Sequence, residues 1–200
     1  GYSRSEEKRQ SYQDEFGITA VPEMQILLDD PEIKGVILTV PNEHHLPVAE
    51  QVAKAGKQVY TEKPIANTLE SGLAIEALQE QYGIQVMVGH SARLLKGVRM
   101  MREAMDNGEL GRVVFMEANF SNERALEITP DTWRWYRDKA PGGPLSQLAI
   151  HQFDTLHYLG GEIDSVASVA SKLSPVGAEV DDQSMTTLKF SDGKLASIGS

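Results

Sequence analysis

The sequence predicts an α/β half followed by an α+β half, and three observations carry that reading. Short apolar runs alternate with helical periodicities up to residue 90, the order of parallel strands joined by crossover helices. From Ser91 the style changes to helices set ahead of consecutive antiparallel strands. A length of 200 residues, 40% hydrophobic and 24% charged, is an ordinary globular composition that holds one large domain or two small ones.

Ser5 to Phe16 reads as a polar helix with Gly17 just past its end, and Glu23 to Leu28 as a short second one. Gly35 to Val40 is an unbroken apolar run, the pattern of a buried central strand, stopped by Pro41-Asn42. A helix from Leu46 to Ala55 is capped by Gly56, and Gln58 to Thr61 is the next strand. Thr68 to Tyr82 is a helix with Leu69, Leu73, Ile75 and Leu78 on one flank, ended by Gly83, and Gln85 to Val88 closes this half. The second half opens with a helix from Val98 to Asn107 and a strand from Val113 to Phe120. Ser121 to Gly143 is irregular; its Trp133, Trp135 and Tyr136 read as a lid or substrate wall, or equally as rings packed on the sheet below. A helix from Leu145 to Leu159 and a strand from Val166 to Leu173 follow. Gln183 to Phe190 and Lys194 to Ser200 form a hairpin around Ser191-Asp192-Gly193.

Composition excludes whole classes of function. Lys and Arg number 19 against 29 Asp and Glu, a formal charge of -10, so the basic footprint of a nucleic-acid binder is missing. No apolar stretch approaches the roughly 20 residues a membrane helix needs. Cysteine is absent, which removes disulfides, zinc ribbons and thiolate catalysis together. The acidic charge and the lack of a targeting signal favour the cytoplasm. The chain opens at Gly1 without Met and ends on the second strand of a hairpin, so a longer parent protein is expected.

Chemistry is signalled at a few places. Glu62-Lys63-Pro64 follows a parallel strand, and open α/β sheets place ligands at the carboxyl ends of their strands. Pro64 biases Lys63 to an extended backbone, and the bond between them is one that can be cis. A partly buried lysine has a lowered pKa and exchanges protons nearer neutrality; the competing reading is a surface lysine paired with Glu62. His151, Asp154 and His157 repeat at three-residue intervals along one helix face. Without a further ligand nearby, no metal is expected there. His151 is either a general acid/base oriented by Asp154 or a histidine satisfied in the core. Gln147 lies one turn earlier, and Gly142-Gly143 ahead of it leaves backbone amides free. His44-His45 also follows a strand end, where a helix cap at Asn42 explains it as well. Ser3-Arg4-Ser5, at a helix N-terminus, suits a phosphate.

Taken in order, Thr39-Val40-Pro41-Asn42 with His45, Ala55-Gly56-Lys57, Glu62-Lys63-Pro64, Gly89-His90 with Arg93, Gly108 to Gly111, and Gly142-Gly143 with His151 and Asp154 resemble the Gfo/Idh/MocA family. The resemblance runs from Ser3 to Gly199. It implies a Rossmann-like dinucleotide-binding domain over residues 1–91, lacking its first strand and glycine turn. An α+β substrate and oligomerisation domain with a mostly antiparallel open sheet would occupy 92–200, incomplete at its C-terminus. The implied activity is hydride transfer between NAD(P) and a secondary hydroxyl of a sugar, cyclitol or related polyol, in a protein that self-associates. Lys63 would contact the reacting hydroxyl and the nicotinamide, with His151 as acid/base. Ser3, Arg4, Thr39, Pro41, Asn42, His45 and Glu62 would hold the cofactor, while Arg93, Trp133, Arg134 and Gln147 would face substrate. Arg4 stands where an acidic residue would select NAD, so NADP is favoured over NAD.

Two departures from the family pattern stand out. No Gly-x-Gly-x-x-Gly turn is present, and Gln147 stands where many members carry an Asp. Glutamine does not ionise, so Gln147 would orient a substrate hydroxyl and leave proton transfer to Lys63 and His151. Rival readings are a glycoside hydrolase of the same fold with a bound NAD, and a non-catalytic sugar-binding or scaffold protein.

Overall fold

Hydroxyl caps start two helices where the sequence places them. Ser5 accepts from the Lys8 amide to open α1 (Glu6–Phe16), and Thr68 accepts from the Ser71 amide to open α4 (Leu69–Tyr82). The computed structural model describes residues 1–200. In it β1 (Gly35–Leu38), β2 (Gln58–Thr61) and β3 (Val86–Val88) form a parallel sheet in that order. Helices α2 (Met24–Asp29), α3 (His45–Lys54) and α4 share one core with it, which includes Leu38, Val52, Val59, Ile75 and Leu78.

β1 stops two residues short of the expected strand and is the outer of the three strands in this chain. Leu38 is buried while Ile37 is 69% exposed, because α3 and α4 cover only one face. An apolar run signals a strand without saying how many faces are covered. Lys57 is a buried cation with no carboxylate beside it. Its ammonium donates to the carbonyls of Asp30 and Ile33 at 2.7 and 2.8 Å and so ties the end of α2 to the start of β2. Two charge-assisted bonds of about 1.5–3 kcal/mol each offset a desolvation cost of several kcal/mol.

The second sheet is mixed and mostly antiparallel. β4 (Phe115–Asn119), β7 (Leu195–Gly199), β6 (Gln183–Phe190) and β5 (Ile163–Ser171) lie side by side in that order, and only the β4/β7 pair is parallel. Period-two alternation sends Leu188, Phe190, Ala196 and Ile198 inward against α6 (Ile150–Gly160). Gly160 is required there, because any side chain would collide with the Phe190 ring. The opposite face stays uncovered, with Phe115, Val169, Met185 and Leu195 exposed on it. α5 (Lys96–Asp106) packs beside α6.

The helix expected from Leu145 to Leu159 comes in two pieces. Leu145–Ala149 is a π turn, and α6 proper starts at Ile150. One extra residue in a turn leaves the apolar periodicity almost unchanged, so the pattern hides it. No helix is long and apolar enough to cross a membrane.

Candidate active site

The end of β2 and the start of α6 meet at one place. After buried Thr61 the chain turns through Glu62-Lys63-Pro64 with a cis bond before the proline. Extended there, Lys63 reaches across and donates Nζ to the Gln147 carbonyl at 2.8 Å, a residue 84 positions later. That carbonyl belongs to the π turn, where the usual helical ladder slips by a residue. His151 follows in the first turn of α6, its Nδ1 buried without a partner and its ring 6.0 Å from that of Phe120.

Lys63, Gln147, His151 and Arg134 line a cavity of about 550 Å³, closed on its other sides by loops 122–132 and 172–182. That is the size of a small-molecule site. Gly143, at φ 46°, lets the second loop in, since a Cβ there would run into the Asp181 carbonyl. Burial holds the Lys63 ammonium below the usual lysine range, Glu62 opposing this and Arg134 adding to it. Burial likewise lowers His151, helped by Lys63 and His90 and resisted by Glu62 and Asp154. Both groups are therefore easier to find neutral than they would be in water, as proton carriers require.

The proposed cofactor edge divides. Thr39 is exposed and Pro41 half-buried beyond β1, and Asn42 is buried with its Nδ2 unpartnered. An orphaned amide at the carboxyl end of a parallel strand fits an acceptor on a bound dinucleotide. Glu62 is exposed at the next strand end. Ser3 and Arg4 lie before α1, where Arg9 donates to both their carbonyls at 2.7 and 3.1 Å and leaves the Arg4 side chain in solvent.

The ring of His45 is turned to main-chain carbonyls. It is fully buried, with Nδ1 3.1 and 3.2 Å from the Pro64 and Ile65 carbonyls and Nε2 3.0 Å from that of Val40. It is a strut that ties the end of β1 to the turn carrying Lys63. Two of the expected substrate residues also stand elsewhere. Arg93 spends its guanidinium on Asp154, and Trp133 lies 4.4 Å beneath the Arg134 guanidinium, outside the cavity lining. The hydrogen bonds of Asp154 go to Arg93, with none to His151, and His157 is exposed to solvent. The Trp135 ring packs against Gly177, so this aromatic stretch braces a loop instead of the sheet. His90 joins the site unassigned by the sequence reading, although it follows β3 at the same kind of strand end that singles out Lys63. Lys172 and Asp181 enter the wall from a loop with no pattern to announce it.

A parallel sheet with an orphaned amide at its carboxyl edge thus stands beside a sheet-backed cavity lined by Lys63 and His151. Residues 2–90 match the oxidoreductase family model with an NAD-binding Rossmann fold, and 98–200 match the GFO/IDH/MocA C-terminal domain. The chain belongs to the Gfo/Idh/MocA oxidoreductase family. It is 28% identical over 195 residues to levoglucosan dehydrogenase of Pseudarthrobacter phenanthrenivorans, covering 86% of this chain and 50% of that protein. It is 29% identical to 1,5-anhydro-D-fructose reductase of Ensifer adhaerens, covering 97% and 58%. Among solved structures, a protein of Desulfitobacterium hafniense described as an NADPH-dependent oxidoreductase superposes with TM-score 0.93 at 39% identity, over 99% of this chain and 57% of that one. Levoglucosan dehydrogenase in complex with NADH and levoglucosan superposes with TM-score 0.86 at 27% identity, over 99% and 56%. The chain thus spans about half the length of the relatives it matches.

His45→Ala removes the ring N–H that the Pro64, Ile65 and Val40 carbonyls surround and leaves a void under the Lys63 turn. It is expected to cost about 2–5 kcal/mol of stability, read as a lower midpoint in urea. A variant as stable as the parent would show that the strut carries nothing.

Proposed function

We propose that the chain carries the site of an NAD(P)-dependent oxidoreductase that moves a hydride between the cofactor and a secondary hydroxyl of a sugar, cyclitol or related polyol. The observation that carries this reading is the convergence of Lys63 and His151 on one cavity from two separate cores. The relatives' names, levoglucosan dehydrogenase and anhydrofructose reductase, support the sugar class. The nucleotide domain is assigned to 1–91 and the substrate domain to 92–200. When bound, the nicotinamide dinucleotide supplies the hydride acceptor or donor.

The residues of the chain do the rest. Asn42, Pro41, Thr39 and Glu62 hold the cofactor at the strand ends, with Ser3 and Arg4 toward its ribose end. A substrate hydroxyl takes the place of the Gln147 carbonyl on Lys63 Nζ. In the oxidative direction the hydroxyl proton passes to neutral Lys63 or to His151 as the carbonyl forms; in the reductive direction it returns. Gln147 and Arg134 orient the remaining hydroxyls from the cavity wall. The uncovered face of the second sheet, with its exposed Phe115, Val169, Met185 and Leu195, joins two copies of the complete protein.

Lys63→Ala is expected to lower kcat by about 10²–10⁴-fold while the Kd of the cofactor changes little, and an unchanged turnover would remove its role. The oxidative rate needs Lys63 neutral, so it rises with pH, and the rise centres below the usual lysine range because burial lowers this group. Glu62→Gln removes the opposing anion and moves that limb to still lower pH. Arg4→Ala should erase a preference for NADPH over NADH in a fluorescence titration; a parent that prefers NADH overturns the assignment to NADP. Met185→Lys should shift the sedimentation of the complete protein from dimer or larger to monomer.

A further inference from the structure

Behind Lys63 and His151 lies an ionic cluster around one buried carboxylate that the proposed chemistry does not itself use. Asp154 sits one turn after His151 on α6, its side chain only 6% exposed. Arg93, in the short turn that follows β3, donates Nε to Oδ2 at 2.9 Å and Nη2 to Oδ1. His90, three residues before Arg93, presents Nδ1 to the same Oδ1 at 3.8 Å, and that nitrogen has no hydrogen-bond partner. One carboxylate on the second core therefore takes hold of two side chains from the strand end of the first.

We propose that Asp154 is the positioning residue of the site: it sets where α6 presents His151 to Lys63, and it fixes His90 as a third proton-carrying side chain. The physical reason lies in the shape of the contact. A bidentate guanidinium–carboxylate pair is planar and directional, so it fixes rotation as well as distance between the two elements. His151 is three residues from Asp154 on the same helix face, and its position follows from that rotation. A carboxylate facing Nδ1 favours the proton there and leaves Nε2 as the basic nitrogen, the arrangement in which a second residue selects a histidine tautomer. The charged groups around His90 are Glu62 and Lys63 from the turn after β2, Arg93 from its own segment, and Asp154 and His151 from α6. The functional half of this inference rests on the oxidoreductase reading above; the His90 half stands without it.

The test separates the two. The chain has five histidines, so each imidazole can be followed by NMR in a pH titration of the full chain, with His90→Gln assigning the signal. Burial holds His90 below the usual histidine range, Asp154 pulling it up and Arg93 pushing it down. Asp154→Asn is therefore expected to move His90 lower still, by about one pH unit, and Arg93→Gln to move it higher. Mere loosening of the fold would raise both toward the solvent value, and that result, or no movement in either, overturns the proposal. On the complete enzyme, Asp154→Asn should lower kcat about 10–100-fold with KM nearly constant, and Arg93→Lys should keep more activity than Arg93→Gln. Parent-like kcat in Asp154→Asn overturns it as well. His90→Gln leaves the ion pair intact and should reproduce part of the kcat loss even where Asp154→Asn fails to fold. If the parent turns over no polyol at all, the oxidoreductase reading falls, and the opposite shifts of His90 alone decide this proposal.

Discussion

Everything at the site depends on an amine reaching a carbonyl that a regular helix would have kept for itself. Lys63 closes the distance between two cores, beside the Arg93–Asp154 pair that also joins them, and it does so at the π turn between Leu145 and Ala149. π turns recur at functional sites because the slipped ladder frees main-chain groups inside a rigid element. Here it gives a half-buried ammonium a polar partner without giving it a counter-ion. A carboxylate in that place would hold the lysine charged, whereas a carbonyl lets burial lower its pKa. The constraint is directional too, since both ends of the contact are fixed to secondary structure and neither end hangs on a long loop.

Polar residues near one another at a strand end take opposite roles according to what meets them. His45 and Asn42 are both buried after β1, three residues apart. The histidine ring lies between main-chain carbonyls on both sides, so its N–H is used inside the protein. Asn42 keeps an amide with nothing to bind, and a buried donor left alone costs about 1–3 kcal/mol. An unmet cost of that kind marks a place for a ligand, and a met one marks scaffold. The same contrast separates Arg93, bound to Asp154 through Nε and Nη2, from Arg134, which faces the cavity without a carboxylate.

Much of this was legible in the residues. Helix ends marked by Ser5, Gly17, Thr68 and Gly83 fall where their chemistry places them, and the turn after β2 announces Lys63 through its strand-end position. Two kinds of feature were not legible. The first is anything decided by coverage: the run from Gly35 marks a strand, while which of its side chains α3 and α4 cover, Leu38 and not Ile37, is a tertiary fact. The second is which of several polar residues spends its hydrogen bonds internally. His45, Arg93 and Trp133 carry the right chemistry for a site, and only the positions of Pro64, Asp154 and Arg134 show that they support it from behind. Loop 172–182 carries turn signals in Ser174-Pro175 and Gly177, which mark a loop without saying what it packs on, and its contribution to the cavity wall arises from contacts over 30 or more residues with Trp135 and Arg137.

The way those wall loops are tethered bears on how such a protein changes over time. Arg137 grips the carbonyl of Glu179, Lys172 that of Ala178, and the amide of Glu179 meets the carbonyl of Trp135 at 2.9 Å. At one end of each contact is main chain, which every residue type provides. Replacing Ala178 alters what the pocket displays without removing the carbonyl that Lys172 holds. Selectivity can thus drift under mutation while the frame, and the proton carriers mounted on it, stay where they are.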